Sequence, residues 1–439
     1  MSLRLLLIAD SDSQLLACQA LARSCEEQDV QISVNAIPRP GTPAAVLAAL
    51  REIGPVWGLT VPQLLADRRL DQFDAIGVYL TGSKLAEFRS CYHSTRKPLG
   101  GARRPLFCGF NGVVLERFEE AIAWRLGYDL ICLNGPRDLA KMDMLLRHTP
   151  FSQQRSVLTG LGRNRDRSTS ATIAADRPRR LVFAEQVVMP ATPAERRRLV
   201  RILARLARRS PHWELLIKPR VAPHETTFHS VETHISHTLV DTLGSPPANL
   251  KLSYAPLPQL LLESRLLATV SSTALFDALD LGCKPVVMDD FGLRQDLGTP
   301  FFAGSGLLQS LAQVEDLDAL AAGPDPDPDW LHWVGYHPGF SPQNLWEALQ
   351  ALADRPITPL PLQQPGYVVN AADLSTNQLR RGAETAIRCG DHAEAIRLLE
   401  IAQLQRPDNR NISRRLAAVR QSNPWLRALT LLVTPRFRL

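Results

Sequence analysis

Short apolar runs alternate along most of this chain with stretches whose apolar residues recur at helical spacing. Leu3–Ala9, Val30–Ala36, Ala75–Leu80, Leu106–Phe110 and Asp129–Leu133 read as strands. Between them, helices are expected over Gln14–Cys25, Leu47–Ile53, from Val61, from beyond Lys84 to Tyr92, over Glu116–Leu126 and over Arg137–Arg147. A polar, basic stretch follows, and the same alternation resumes. Strands are expected at Leu181–Ala184, Glu214–Lys218, Leu250–Leu252, Leu267–Val270 and Val286–Met288. Helices fall at Thr192–Ala207, with Pro193 in a first-turn position that suits proline, at Pro258–Glu263, and from Ala274 until Gly282 stops the last. Strands that alternate with helices make a parallel sheet with helices on its faces. The fold class expected is therefore α/β: two Rossmann-like parallel domains, 1–165 and 181–369, facing a cleft, with 166–180 as a basic linker. From 370 to 439 the pattern becomes purely helical. Ala383, Ala386, Gly390, Ala393, Ala395, Leu398, Leu399 and Ala402 give the small-large spacing of a tetratricopeptide-like hairpin, followed by a basic amphipathic tail. A lone repeat cannot bury its own apolar face, so the hairpin should pack on the body or on a partner.

Composition narrows the partners. The 439 residues carry a net charge of +6 and a pI near 9.1, with arginines clustered at Arg196–Arg198 and Arg205–Arg209. That suits phosphate-bearing ligands or a membrane surface. No zinc-finger spacing and no RNP-type motif occurs, so nucleic acid is not an expected partner. The seven cysteines are odd in number and dispersed, without a CxxC pair, as in a reducing compartment without structural zinc. No apolar run is long enough to span a bilayer, and Leu3–Ala9 is too short for a signal segment. A cytoplasmic location is expected. The tail, Trp425 to Leu439, mixes arginines with apolar residues, so it either lies on the inner face of a membrane or covers the body's edge.

Chemistry concentrates at strand ends. Leu266 to Gly292 reads as strand, loop, helix, strand, and the loop is Ser271-Ser272-Thr273. Hydroxyls at a helix N-terminus either hold an anion or merely cap the helix. Lys218 and Arg220 stand at another strand end, where a point charge beside a guanidinium makes a phosphate clamp. Gln186 follows a third strand. Glu225, His229, His234 and His237 lie downstream of Arg220, but their spacing matches no metal motif, so no metal site is expected and the histidines read as hydrogen-bond donors. In the first domain, Asp10 and Asp12 follow the first strand; either could take a proton from an acceptor hydroxyl, or simply cap a helix. His93 and the Gly109–Gly112 loop are lesser acceptor-side candidates.

Several of these stretches together resemble a bacterial family of GT-B type called "putative glycosyltransferases". They are Asp10 to Ser13, Gly109 to Gly112, Phe183 to Gln186, Lys218 and Arg220 leading to Glu225 and His229, Val270 to Ala274, and Asp289 to Gly292. The resemblance spans about residues 1 to 310. Phe228 stands where the pattern has Thr. The layout is also distantly similar to capsule-type and sialic-acid-type transferases. What the resemblance implies is a nucleotide sugar, CMP- or NDP-linked, held by Gln186, Lys218, Arg220, Glu225, His229, Ser271, Ser272 and Thr273. Asp10 or Asp12 would be the base, a cell-surface glycan or glycolipid the acceptor, and no cofactor or metal would be needed beyond the donor itself. Two alternatives stay open: a nucleotide-sugar 2-epimerase of the same fold, and a non-catalytic scaffold that binds a partner through the C-terminal hairpin.

Overall fold

A computed structural model describes residues 3–24, 29–37, 44–52, 54–96, 104–110, 112–115, 117–161, 177–187, 189–223, 233–353 and 374–434. Among these, seven parallel strands form the first sheet: β1 (Leu3–Ala9), β2 (Val30–Ala36), β3 (Val56–Trp57), β4 (Ala75–Tyr79), β5 (Leu106–Cys108), β6 (Leu130–Leu133) and β7 (Ser156–Leu158). Their order is β3-β2-β1-β4-β5-β6-β7. Helices α1 (Asp12–Arg23), α2 (Ala44–Arg51), α3 (Val61–Ala66), α4 (Ser83–Arg96), α5 (Phe118–Ala123) and α6 (Pro136–Leu146) connect them. β1 is apolar nearly throughout because both faces are covered. Leu6 and Ile8 join one core with Ile76 and Val78, while Leu5, Leu7 and Ala9 join the other with Leu15 and Cys18.

The second sheet has six parallel strands: β8 (Arg180–Ala184), β9 (Glu214–Lys218), β10 (Leu250–Leu252), β11 (Leu266–Thr269), β12 (Lys284–Met288) and β13 (Leu308–Gln309). Its order, β10-β9-β8-β11-β12-β13, is that of a dinucleotide-binding fold, with the direction of winding reversed between β8 and β11. Seven helices belong to this half of the chain: α7 (Pro193–Arg209), α8 (Ile235–Leu243), α9 (Leu257–Leu262), α10 (Ala274–Asp280), α11 (Leu317–Ala322), α12 (Pro328–Val334) and α13 (Pro342–Ala353). Thr192 caps α7 by accepting from Glu195 N. Arg177, at the foot of the sheet, donates to the carbonyls of Leu261, Ser264 and Leu281. Most of the linker expected at 166–180 lies outside the described residues.

α13 departs from the domain division that the sequence suggested. It lies within the expected second domain, yet its stripe of Leu345, Trp346, Leu349 and Leu352 is buried in the first domain's core beside Leu5 and Leu7. Asn344 Nδ2 donates to Leu158 O at 2.9 Å, fixing its start to β7. Other contacts join the two halves near this return. Leu161 N donates to Gly335 O at 2.9 Å, the Arg137 guanidinium lies over the Phe301 ring at 4.7 Å, and Leu115 packs against the second domain's core.

Four helices follow rather than one hairpin and a tail: α14 (Thr376–Arg388), α15 (His392–Gln405), α16 (Arg410–Val419) and α17 (Pro424–Val433). They share a core of Leu379, Ala383, Leu398, Leu399, Ile412 and Leu416. α14 packs on α3 and α4. There the Arg381 guanidinium grips both oxygens of Glu87, and Gln378 Nε2 donates to Ser83 Oγ at 3.4 Å.

Candidate active site

In open α/β sheets, ligands bind beyond the carboxyl ends of the strands, where the winding reverses. In the second sheet that place lies between β8 and β11, and the two strand ends are stitched together there. Gln186, just beyond β8, accepts from Ser271 N at 2.9 Å and donates to Ser271 Oγ at 3.3 Å. The Thr269 hydroxyl donates to Ala184 O at 3.1 Å and lies 3.4 Å from Gln186 Oε1. Ser271 Oγ also contacts Met189 Sδ at 3.2 Å. Gln186 and Ser271 therefore build the crevice floor.

The hydroxyl loop divides its labour. Ser271 is buried and committed to Gln186 and Met189. Ser272 is half-buried: its N–H donates to Thr269 Oγ1 at 3.3 Å, and its Oγ accepts from Ala274 N at 3.2 Å. Thr273 is exposed, at the mouth of the seven-residue α10. Much of the N-terminal donor capacity of α10 is thus met within the loop, and Thr273 is the hydroxyl facing outward.

On the other side of β8, β9 ends at Lys218. Lys218 is half-buried and donates to Pro219 O at 2.6 Å, while Arg220 is exposed. Beneath them, Glu185 is buried and pairs with Arg196 of α7 at 2.7 Å, and Arg220 N reaches Glu185 Oε2 at 3.5 Å. Arg196, one of the clustered arginines, is thus a buried structural cation. Glu225 and His229 lie outside the described residues. His234 is an N-cap: its Nδ1 accepts from Ser236 N at 3.1 Å and its Nε2 donates to Val221 O at 3.0 Å, pinning the chain just after Arg220.

One residue at this rim escaped sequence reasoning. Tyr254 follows β10 with its ring largely exposed and stacked at 6.4 Å on His234, a surface on which a planar base can stack. An exposed aromatic just past a short strand was the available signal. Asp289 ends β12. Partial burial, then the neighbouring Asp290, push its carboxyl above the ordinary aspartate range. Asp290 itself is a cap, accepting from Ser310 Oγ, Leu311 N and Ala312 N.

The first sheet reverses its winding between β1 and β4. Asp10, buried at the end of β1, meets the start of α4 there. Lys84 forms an ion pair with Asp10 Oδ2, and Thr81 Oγ1 donates to Oδ1 at 3.3 Å. Gln14 completes the cluster, accepting from Asp10 N at 3.3 Å and donating to Thr81 Oγ1 at 3.0 Å. Lys84 and Gln14 were not singled out from the sequence. Asp12 is the first residue of α1, and its side chain lies outside the described residues. His93 sits far along α4 from this strand end and packs edge-on against Tyr92.

Two parallel-sheet α/β domains, with a last helix returning to the first domain, form the GT-B architecture. The chain belongs to the family described as "Putative glycosyltransferase (DUF6716)", whose model matches residues 5–352, ending within α13. No curated protein sequence matches it. Among solved structures, the chain is similar to a UDP-GlcNAc 2-epimerase from Neisseria meningitidis bound to UDP-GlcNAc. That match has 14% identity and a TM-score of 0.51, covering 80% of this chain and 100% of that one. A "putative UDP-N-acetylglucosamine 2-epimerase" from Listeria monocytogenes gives 14% identity and a TM-score of 0.51, over 81% and 99%. Acinetobacter baumannii MurG gives 12% and 0.45, over 80% and 99%. At such identities the likeness concerns the fold.

Proposed function

We propose that this protein transfers a sugar from a nucleotide-activated donor, CMP- or NDP-linked, to a hydroxyl of a cell-surface glycan or glycolipid, without a metal ion. The observation that carries the reading is the convergence of Gln186, Lys218, Arg220 and the Ser271–Thr273 loop on adjacent strand ends around the winding reversal of the second sheet. The UDP-GlcNAc held by the Neisseria neighbour on the same fold supports a nucleotide sugar. Tyr254, beyond β10, would stack on the base beside the end of neighbouring β9. Lys218 and Arg220 would hold the phosphates, with Glu225 and His229 as further donor contacts. Two cations at the leaving phosphate supply charge stabilisation that a divalent metal supplies in other transferases.

Asp10 is the acceptor-side group in this reading. The acceptor oxygen attacks the anomeric carbon as its proton passes to Asp10. The bond from that carbon to the phosphate oxygen breaks, and the nucleotide leaves with the electron pair. Lys84 and Thr81 hold the carboxylate in place at the end of β1.

The test is a thermal-shift screen against CMP, CDP, UMP, UDP, GDP and ADP, with and without magnesium, on wild type and Arg220→Ala. A nucleotide at about 100 times its dissociation constant adds roughly 2.7 kcal/mol. One base series should stabilise the wild type regardless of magnesium and fail on the variant. No shift with any nucleotide would sink the donor reading and favour a partner-binding scaffold. Turnover of the sugar nucleotide in the absence of any acceptor would favour the epimerase.

A further inference from the structure

α17 carries a feature that the transferase reading leaves unused. Trp425, Leu426, Leu429, Leu432 and Val433 are exposed, from 51% at Leu426 to 87% at Trp425. Their spacing puts them on one side of a helix. The opposite side is held in place. Arg415, buried and paired with Glu384 at 2.6 Å, donates to Leu431 O at 2.8 Å and to Thr434 Oγ1 at 3.0 Å, and Leu431 packs on the four-helix core. The apolar face is thus presented by a docked helix.

Charge says what covers it. From Arg406 to Leu439 the chain has eight arginines, one aspartate at Asp408, and no lysine or glutamate. Arg415 and Arg420 are paired with Glu384 and Glu400, whereas Arg406, Arg410 and Arg414 are exposed. A second copy of this face would bring arginines against arginines, since a two-fold interface opposes like patches. A layer of anionic headgroups meets both the apolar face and the cations. Tryptophan also favours the boundary between water and acyl chains. Among the described residues no helix is long and apolar enough to cross a membrane, so the contact is with the surface.

We propose that α17 docks this protein on an anionic lipid surface, with Trp425, Leu426, Leu429, Leu432 and Val433 entering the headgroup boundary and the exposed arginines of the same module attracted to the phosphates. α14 of the same module is bound to α4, so the docked module is fixed to the first domain. The inference stands apart from the donor reading, because its test involves no turnover.

The full-length chain is sedimented with vesicles of phosphatidylcholine alone and of phosphatidylcholine mixed with phosphatidylglycerol, at low and high salt, with light scattering in the absence of lipid. Binding is expected to the mixed vesicles only and to weaken with salt. Trp425→Ser with Leu429→Ser should lower it about tenfold or more. Arg410→Gln with Arg414→Gln should lower it several-fold at low salt. All four side chains are exposed, so melts of the variants should match wild type. Absence of binding, or equal binding to neutral vesicles, overturns the proposal. So does a concentration-dependent dimer without vesicle binding that the Trp425→Ser, Leu429→Ser variant abolishes, which would assign the face to a second copy.

Discussion

Gln186 and Ser271 grip each other across the winding reversal of the second sheet, with Gln186 Oε1 accepting from Ser271 N at 2.9 Å and Gln186 Nε2 donating to Ser271 Oγ at 3.3 Å. One amide thereby fixes the backbone from which Ser272 and Thr273 project. Gln186→Ala leaves the buried Ser271 without these contacts and should cost about 1–3 kcal/mol. Donor KM should rise about tenfold with a smaller change in kcat, as expected when ground state and transition state lose the same positioning. Gln186→Glu can still accept from Ser271 N but cannot donate to its hydroxyl, so it should fall between. Melting curves and donor KM for the three proteins check this; an Ala variant with wild-type values would show that the loop holds itself.

The pair of Asp10 and Lys84 allows a separation of binding from chemistry. Asp10→Asn keeps the size and polarity of the side chain but removes the proposed base. Turnover should fall about 10²–10⁴-fold, while the nucleotide-induced thermal shift is unchanged, since the proposed donor cluster lies on the other sheet. Lys84→Met leaves the buried Asp10 without its cation. The loss of stability should stay below the roughly 3–5 kcal/mol of a fully buried pair, because Lys84 is partly exposed. Equal loss of nucleotide binding and turnover in Asp10→Asn would count against the base assignment.

Where the two halves meet, Gly135 and Gly335 bring backbones together. A Cβ on Gly135 would sit 2.4 Å from Gly335 N, and one on Gly335, whose φ is +100°, would sit 2.1 Å from Asn134 O. Neither obstacle is a flexible side chain. Gly135→Ala should cost about 1–3 kcal/mol or more through forced separation, and Gly335→Ala should cost more, because it adds left-handed backbone strain. Thermal melts of both variants decide the matter; a wild-type melt for Gly135→Ala would mean that the halves separate without penalty.

The strands that organise the fold were legible because they are buried on both faces, so their apolar runs are unbroken. β1, β2, β9 and β10 have the bounds expected from the sequence. The edge strands β3, β7 and β13 were not legible: two or three half-buried residues leave no run to detect. α13 shows a different limit. Leu345, Trp346, Leu349 and Leu352 have helical spacing, but periodicity says only that a face is buried, and its partner here is the other domain's sheet. Among site residues, type and strand-end position pointed to Gln186 and Ser271 but not to their mutual bond. Lys84 was missed for the same reason, as its pairing with Asp10 joins the end of β1 to α4, far apart in sequence.

The four-helix module should be sensitive to acid through His392. This histidine opens α15, half-buried, and its Nδ1 has no hydrogen-bond partner among the described residues. Burial, then Arg427 of α17, push its pKa below the ordinary histidine value, while Asp391 acts in the opposite direction. A histidine whose folded value lies below its unfolded one binds fewer protons when folded. The module is therefore fully stable above about pH 6.5 and loses stability as the pH falls from there through the lowered value. His392→Gln keeps a neutral polar group and should flatten that slope. Arg427→Gln should reduce it without abolishing it, since burial is the larger cause. Hydrogen exchange of α15 to α17 in the full-length chain, followed from about pH 8 to pH 5 and corrected for intrinsic exchange, reads the opening free energy directly. If His392→Gln keeps the wild-type slope, the acid sensitivity resides elsewhere in the module.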